Sequence, residues 1–254
     1  MFKSILNLFL TVACVSLLLG ACAKAQQPNV AAGAHEIADP IEPVNRFIFG
    51  FNDVVDRLLI EPVAKGYKAV LPSFVRDAIQ SFVRNLQSPV IFANNILQGQ
   101  VGDAGITAAR FLINSTVGIA GLVDVAKAQG LTYQDEDFGQ TLAVWGVGDG
   151  FYLVLPILGP SSLRDTAGLV ADSFADPVRI VSSNTDNEWI YYTVGAVKGI
   201  DTRSRIITAV DDLRRNSLDY YAAARSAYGQ QRQVLIRNGK PGATPQAPSY
   251  DDAQ

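Results

Sequence analysis

From Pro43 onward the chain repeats apolar positions with the 3.6-residue period of an amphipathic helix. Val44, Phe47, Ile48, Phe51, Val55, Leu58 and Leu59 form a broad first stripe. After Pro72-Ser73, a turn and cap, Phe74, Val75, Ala78, Ile79, Phe82, Val83 and Leu86 form a second stripe. Arg76, Asp77, Gln80, Ser81, Arg84 and Asn85 occupy the opposite face of that segment. Ser88-Pro89 reads as the restart of a helix, with a capping serine and a proline in the first turn, and Gly99 closes it. Farther along, Trp189 to Tyr228 reads as two longer helices. Ile200, Ile206, Ile207, Val210 and Leu213 point inward there and "DDLRRN" points outward. No segment shows sustained period-two alternation, so the spacing predicts an all-α fold.

The two ends depart from this pattern. Lys3 followed by "ILNLFLTVACVSLLLG" has the basic start and apolar middle of an export signal. It ends in Leu19-Gly20-Ala21-Cys22, which is similar to a bacterial lipobox, and predicts a signal peptide over residues 1–21 with lipidation of Cys22. Ala23 directly after that cysteine favours delivery to the outer membrane. One acyl chain anchors only marginally, whereas the three usual in bacterial lipoproteins hold firmly. Residues 22–38 are small, polar and unpatterned and read as a flexible tether. Residues 239–254, rich in Pro and Gly, read as a disordered tail, which leaves 39–238 as the helical domain.

Composition narrows the chemistry. A formal net charge of −3 provides no basic field to attract nucleic acid. The one histidine, His35, sits in the tether, so the fold has no histidine for a triad or a metal site. Cys14 leaves with the signal and Cys22 is blocked by acylation, which removes thiol chemistry. Asp137-Phe138-Gly139 lacks the glycine-rich loop and catalytic loop of a kinase, and Asp137 reads as a helix cap. Gly146, Gly148 and Gly150 miss the dinucleotide fingerprint, which wants its third glycine where Phe151 stands. Asp135-Glu136-Asp137 lacks the spacing of a calcium loop and reads as a solvated acidic turn. Ser161-Ser162 before Arg164-Asp165 reads as a helix cap with first-turn charges. The scattered arginines read as surface residues. These patterns predict no catalytic residue, no metal, no cofactor and no enzymatic activity.

What remains unusual is grease. Hydrophobic residues make up 48% of the chain. "WGVGDGFYLVLPILGP", Trp145 to Pro160, is glycine-punctuated at one end and apolar all round at the other. After the signal no apolar run reaches the ~18 residues that a spanning helix requires. Wide stripes without a span fit either a buried core or helices lying in a bilayer, and periodicity leaves both open.

Four segments break the tie by resemblance. "DPIEPVNRFIFGFN" (Asp39 to Asn52), "RFLINSTVGIAGLVDVA" (Arg110 to Ala126), "DFGQTLAVWGVGDGFYLVLPILGPSSLRD" (Asp137 to Asp165) and "DPVRI" (Asp176 to Ile180) resemble the MlaA (VacJ) family of outer-membrane lipoproteins. The match runs from about Asp39 to Asn238 with the motifs in the family's order. The resemblance implies a ring of amphipathic helices lying in the membrane around an amphipathic channel, associated with a trimeric porin. It implies that phospholipids misplaced in the outer leaflet are passed to a soluble periplasmic carrier, which maintains lipid asymmetry. In that setting Trp145 to Pro160 becomes a membrane-depth hairpin, with Gly146, Gly148 and Gly150 as hinges or points of tight backbone approach; the alternative is a tightly packed core connection with turn glycines. Two rivals stand beside it: a membrane-bound lipid hydrolase, which would need a nucleophile and base, and a structural envelope lipoprotein that handles no lipid.

Overall fold

The structure, a computed structural model, describes residues 37–238. Cys22, the signal peptide, His35, most of the tether and the tail lie outside the described residues. The packed chain starts slightly before Asp39. Ile37 is buried, and the Tyr152 backbone N–H donates to the Ala38 carbonyl at 2.8 Å.

The first stripe forms α1 (Glu42–Val55), a π-helical turn (Asp56–Ile60) and α2 (Glu61–Val70). Val55 and Glu61 both keep right-handed helical dihedrals, so the path is continuous. Pro62 explains the π turn, because its ring would strike the carbonyl four residues back and it has no N–H to donate. Widening the turn relieves that clash, and the Glu61 N–H bonds to the Asp56 carbonyl five residues back.

The second stripe forms one 25-residue helix, α3 (Ser73–Leu97), with Pro89 inside it. The expected restart at Ser88-Pro89 does not occur. Ser88 Oγ instead donates to the Arg84 carbonyl at 3.1 Å, and Asn94 and Asn95 beyond the proline are tied to other elements. Tertiary hydrogen bonds thus carry the helix through a residue that would otherwise break it.

α4 (Val101–Thr116), the short α5 (Val125–Ala128) and α6 (Phe138–Val144) follow. Asp137 caps α6, its carboxylate accepting from the Gln140 N–H at 2.8 Å. Next come the only strands among the described residues, an antiparallel hairpin of β1 (Tyr152–Leu155) and β2 (Gly159–Ser162). Four residues per strand are too few to display alternation, so the apolar run concealed it. α7 (Leu163–Ala175) is capped by Ser162, and α8 (Pro177–Asn184) by Asp176 with Pro177 in its first turn. Trp189 to the C-terminal end forms three helices rather than two: α9 (Trp189–Arg205), α10 (Ile207–Asn216) and α11 (Tyr220–Ile236). Ile206 and Asp219 leave the helical region and separate them.

The helices α6 and α7 cross closely because two glycines meet. A Cβ on Gly168 would run into the Gly139 backbone, so this crossing accounts for the glycine of "DFG". A small apolar core gathers Ile37, Tyr152, Val154 and Tyr221, with Ile48, Phe49 and Tyr228 packed against it. Among the described residues no helix is long and apolar enough to cross a membrane.

Candidate functional site

The first helical stripe faces the wrong way for a water-soluble domain. On the first helical path Phe47 is 78% exposed and Leu58 76%, while Asn45 is 1% exposed. Phe74, Val101, Leu112, Val117, Phe174 and Trp189 are also exposed. Among the described residues, 19 buried side chains are polar or charged and nine are hydrophobic. Exposed apolar atoms alone are ordinary on proteins; exposed aromatic stripes over a polar interior are not. This excludes the buried-core reading for the first stripe, whereas the second is half-buried beyond Phe74 and sends Val83 into the interior.

The interior is built from paired groups, and each was placed by a helix face. Asn45 and Asn52, two turns apart on α1, hold the hairpin like a third strand. Asn45 Nδ2 donates to the Tyr152 carbonyl at 2.9 Å, and Asn45 Oδ1 accepts from the Val154 N–H at 2.9 Å. Asn52 repeats this with the Leu155 carbonyl at 2.9 Å and the Ile157 N–H at 2.7 Å. Tyr221 Oη donates to Asp39, which also accepts from Asn45.

Four buried arginines and the half-buried Arg214, expected on the surface, anchor three networks. Arg232 on α11 bonds Asp137 at 2.6 Å and Asp165 at 3.0 Å, joining the caps of α6 and α7. Arg164 bonds Asp149 at 2.7 Å and Asp165 at 2.9 Å, and Tyr228 Oη also donates to Asp165. Arg203 makes a bidentate pair with Asp56 in the π turn, both contacts at 2.8 Å. Arg214 reaches Asp53, Asp56 and Glu61, so "DDLRRN" does not lie wholly outward. Arg110 holds Asp124 at 2.8 Å, and Asn114 bridges Asp124 to the Ala126 N–H. That triad gives Arg110, Asn114 and Asp124 of "RFLINSTVGIAGLVDVA" a structural role.

The acidic turn is not solvated. Glu136 is 4% exposed and accepts from Gln98 Nε2 at 2.8 Å. Burial pushes its carboxyl up to about 7, opposed by the Gln98 bond and reinforced by Asp137, Asp135 and Asp103. Burial also opposes ionisation of Asp137, but Arg232 and the cap bonds outweigh it and hold that carboxyl below the usual range. Among the described residues no group of His, Cys, Asp and Glu has the arrangement of a metal site.

The glycine segment lies between α6 and the hairpin and is largely exposed. Gly146 (φ +88°) and Gly150 (φ +71°) take left-handed turn conformations. Gly148 does not, and nothing lies within 4 Å of where its Cβ would stand. The three positions therefore divide, two fixed by backbone geometry and one with room. At the hairpin tip Ile157 and Leu158 are 65% and 68% exposed, while Tyr152 and Val154 point into the core.

One cleft about 290 Å³ in volume opens between α3 and α9, over Tyr133. Its wall mixes Ile79, Val83 and Ile206 with Arg84, Lys198 and Arg205. The stripes identified in the sequence supply its apolar wall but do not mark its basic residues, which lie off them.

Charges paired inside, apolar side chains outside and no crossing helix among the described residues define a class: an inverted amphipathic helical protein whose surface suits lipid rather than water. Within that class the chain belongs to the MlaA lipoprotein family, whose model matches residues 37–235. It is 33% identical to the intermembrane phospholipid transport system lipoprotein MlaA of Escherichia coli (strain K12), over 85% of this chain and 86% of that one. An uncharacterized protein of Rickettsia bellii (strain RML369-C) is 38% identical, over 82% of this chain and 80% of its own length. A solved structure described as the structural basis for maintenance of bacterial outer membrane lipid asymmetry superimposes with a TM-score of 0.70. It is 32% identical and covers 78% of this chain and 99% of that chain.

Proposed function

We propose that this chain is an outer-membrane lipoprotein, anchored through acylated Cys22, that removes phospholipids misplaced in the outer leaflet. It passes them to a soluble periplasmic carrier while associated with a trimeric porin, and so maintains lipid asymmetry. The inverted burial carries this reading. A two-chain phospholipid moved through water exposes roughly thirty methylenes at about 0.8 kcal/mol each, on the order of 20 kcal/mol. A protein with an apolar exterior for acyl chains and polar groups within for headgroups lowers that barrier without a nucleophile, so the role is passage and not covalent chemistry. The names of the relatives, which concern phospholipid transport and lipid asymmetry, support the same reading.

The glycine segment fits a hinge between α6 and the hairpin, with Gly148 as the position free to move and Gly146 and Gly150 as turns that bracket it. The deciding experiment measures transfer of labelled phospholipid from reconstituted chain to the carrier, together with surface phospholipid in a deletion strain. Carrier-dependent transfer and raised surface phospholipid are expected. Normal surface lipid in the deletion strain would favour a scaffold, and released fatty acid would favour a hydrolase.

A further inference from the structure

The cleft between α3 and α9 is the one place described above where cations face an opening beside an apolar wall. Its charges are unequal in availability. Arg205 is spent within the protein, bonded to Asp201 at 2.8 Å and to Asp77 at 3.0 Å. Asp201 accepts from Tyr67 Oη as well, at 3.0 Å, so that carboxylate is fully engaged. Asp135 accepts from Tyr133 Oη at 3.3 Å. Arg84 and Lys198 have no carboxylate partner among the described residues. Arg84 lies over the Tyr133 ring, 4.5 Å from its centroid, which fixes the guanidinium plane and leaves its N–H edge free to donate.

From this we infer that the cleft is a binding subsite for an anionic phosphodiester carried on an acyl chain, with Arg84 and Lys198 as its ligands. The inference rests on the phospholipid-transport reading and names the lipid class that this chain favours. A guanidinium edge and a mobile ammonium supply charge-assisted donors to the phosphate oxygens. Ile79, Val83 and Ile206 give the first methylenes of the chain an apolar surface next to that charge. The volume of about 290 Å³ suits a headgroup and its glycerol but not two whole acyl chains, which would run out over the exterior. A headgroup carrying its own ammonium would add a fourth cation to Arg84, Lys198 and Arg205, against Asp201, which is already engaged, and the single carboxylate of Asp135. The site therefore selects phosphatidylglycerol over phosphatidylethanolamine.

The test uses the full chain in nanodiscs of equal phosphatidylglycerol and phosphatidylethanolamine, extracted in mild detergent, with the co-purifying lipid quantified. Wild-type protein is expected to retain phosphatidylglycerol preferentially. Arg84→Gln and Lys198→Gln should each lower that preference by about fivefold. Lys68→Gln, which removes an exposed cation elsewhere, should leave it unchanged, with thermal midpoints near wild type in all three. An unchanged preference in both cleft variants overturns the inference, as does an equal loss in Lys68→Gln, which would make the effect diffuse charge. Binding of inorganic phosphate without enrichment of phosphatidylglycerol would make the cleft a free-phosphate site and overturn the lipid reading of it. Transfer of phosphatidylethanolamine to the carrier is measured on the same variants. Intact transfer with no headgroup preference refutes this subsite alone, whereas absent transfer in wild type refutes the transport reading.

Discussion

Asn45 shows what a buried position does in this protein. Its amide supplies both a donor and an acceptor to the edge of β1, at 2.9 Å each, where a hydrophobic residue would leave the Tyr152 carbonyl and Val154 N–H unpaired. Asn45→Ala should therefore cost about 2–3 kcal/mol in unfolding measured in detergent. Phe47→Ser, two positions on and facing outward, should change that stability little and weaken membrane association instead. Glu136 makes a separate prediction. In the fold its carboxyl is pushed up to about 7, whereas an ordinary glutamate titrates near 4.5. The native state thus binds the extra proton between those values. The stabilisation is full below pH 4.5 and falls away as pH rises through 7. Glu136→Gln keeps an acceptor for Gln98 and has no charge to bury. It should raise stability by about 2 kcal/mol at pH 8 and by little at pH 5, read as a difference in unfolding midpoint. A pH-independent effect would show that Glu136 is not protonated in the fold.

At the scale of elements, helices were legible because their period is long and repeated, and two caps because Asp137 and Ser162 each precede a helical run. The sign of the stripes was not legible. Periodicity reports that one face differs from the other, and Val44, Phe47 and Phe51 would read the same facing a core or facing lipid. The polar partners gave a signal that went unused: Asn45, Asn52 and Asp56 share a face two and three turns apart, too few charges for a solvated surface. Pro89 misled because local propensity was outvoted by Asn94 and Asn95 binding to Asp172 and Thr107. Periodicity did not show the hairpin, because its strands are four residues long and β1 is apolar on both faces; the expectation of one there came from the resemblance alone. The hairpin's glycines give the element-scale prediction. Gly148→Val meets no neighbour and needs no left-handed backbone, so it should fold and insert normally. If the segment is a hinge, cells carrying it should accumulate surface phospholipid and become sensitive to detergent with chelator. Gly146→Val, forced to φ +88°, should instead destabilise the protein itself. Unchanged surface lipid in a stably inserted Gly148→Val protein would argue against gating.

For the whole molecule, attachment and embedding are separable. The lipobox leads to the expectation that Cys22→Ser blocks acylation and processing, leaving uncleaved precursor or mislocalised protein, as mass spectrometry of the mature N-terminus would reveal. Embedding does not depend on that lipid, because the described fold already presents aromatic and aliphatic side chains over much of its surface. The buried ion pairs gain little for stability on their own, since desolvation offsets their attraction. Their presence makes sense where the exterior must be apolar and the polar faces have nowhere else to go. The most direct measurement of this inversion places single cysteines at Phe47, Leu59 and Arg215, each carrying a bimane label, in the acylated protein reconstituted into vesicles. The chain has two other cysteines, Cys14, expected to leave with the signal, and Cys22, expected to be acylated, so each label is expected to report one site. Lipids bearing a doxyl group on the acyl chain should quench the labels at Phe47 and Leu59, and aqueous iodide should quench the label at Arg215. Equal iodide quenching at all three sites, with none by the doxyl lipids, would place the apolar face in water and contradict the account.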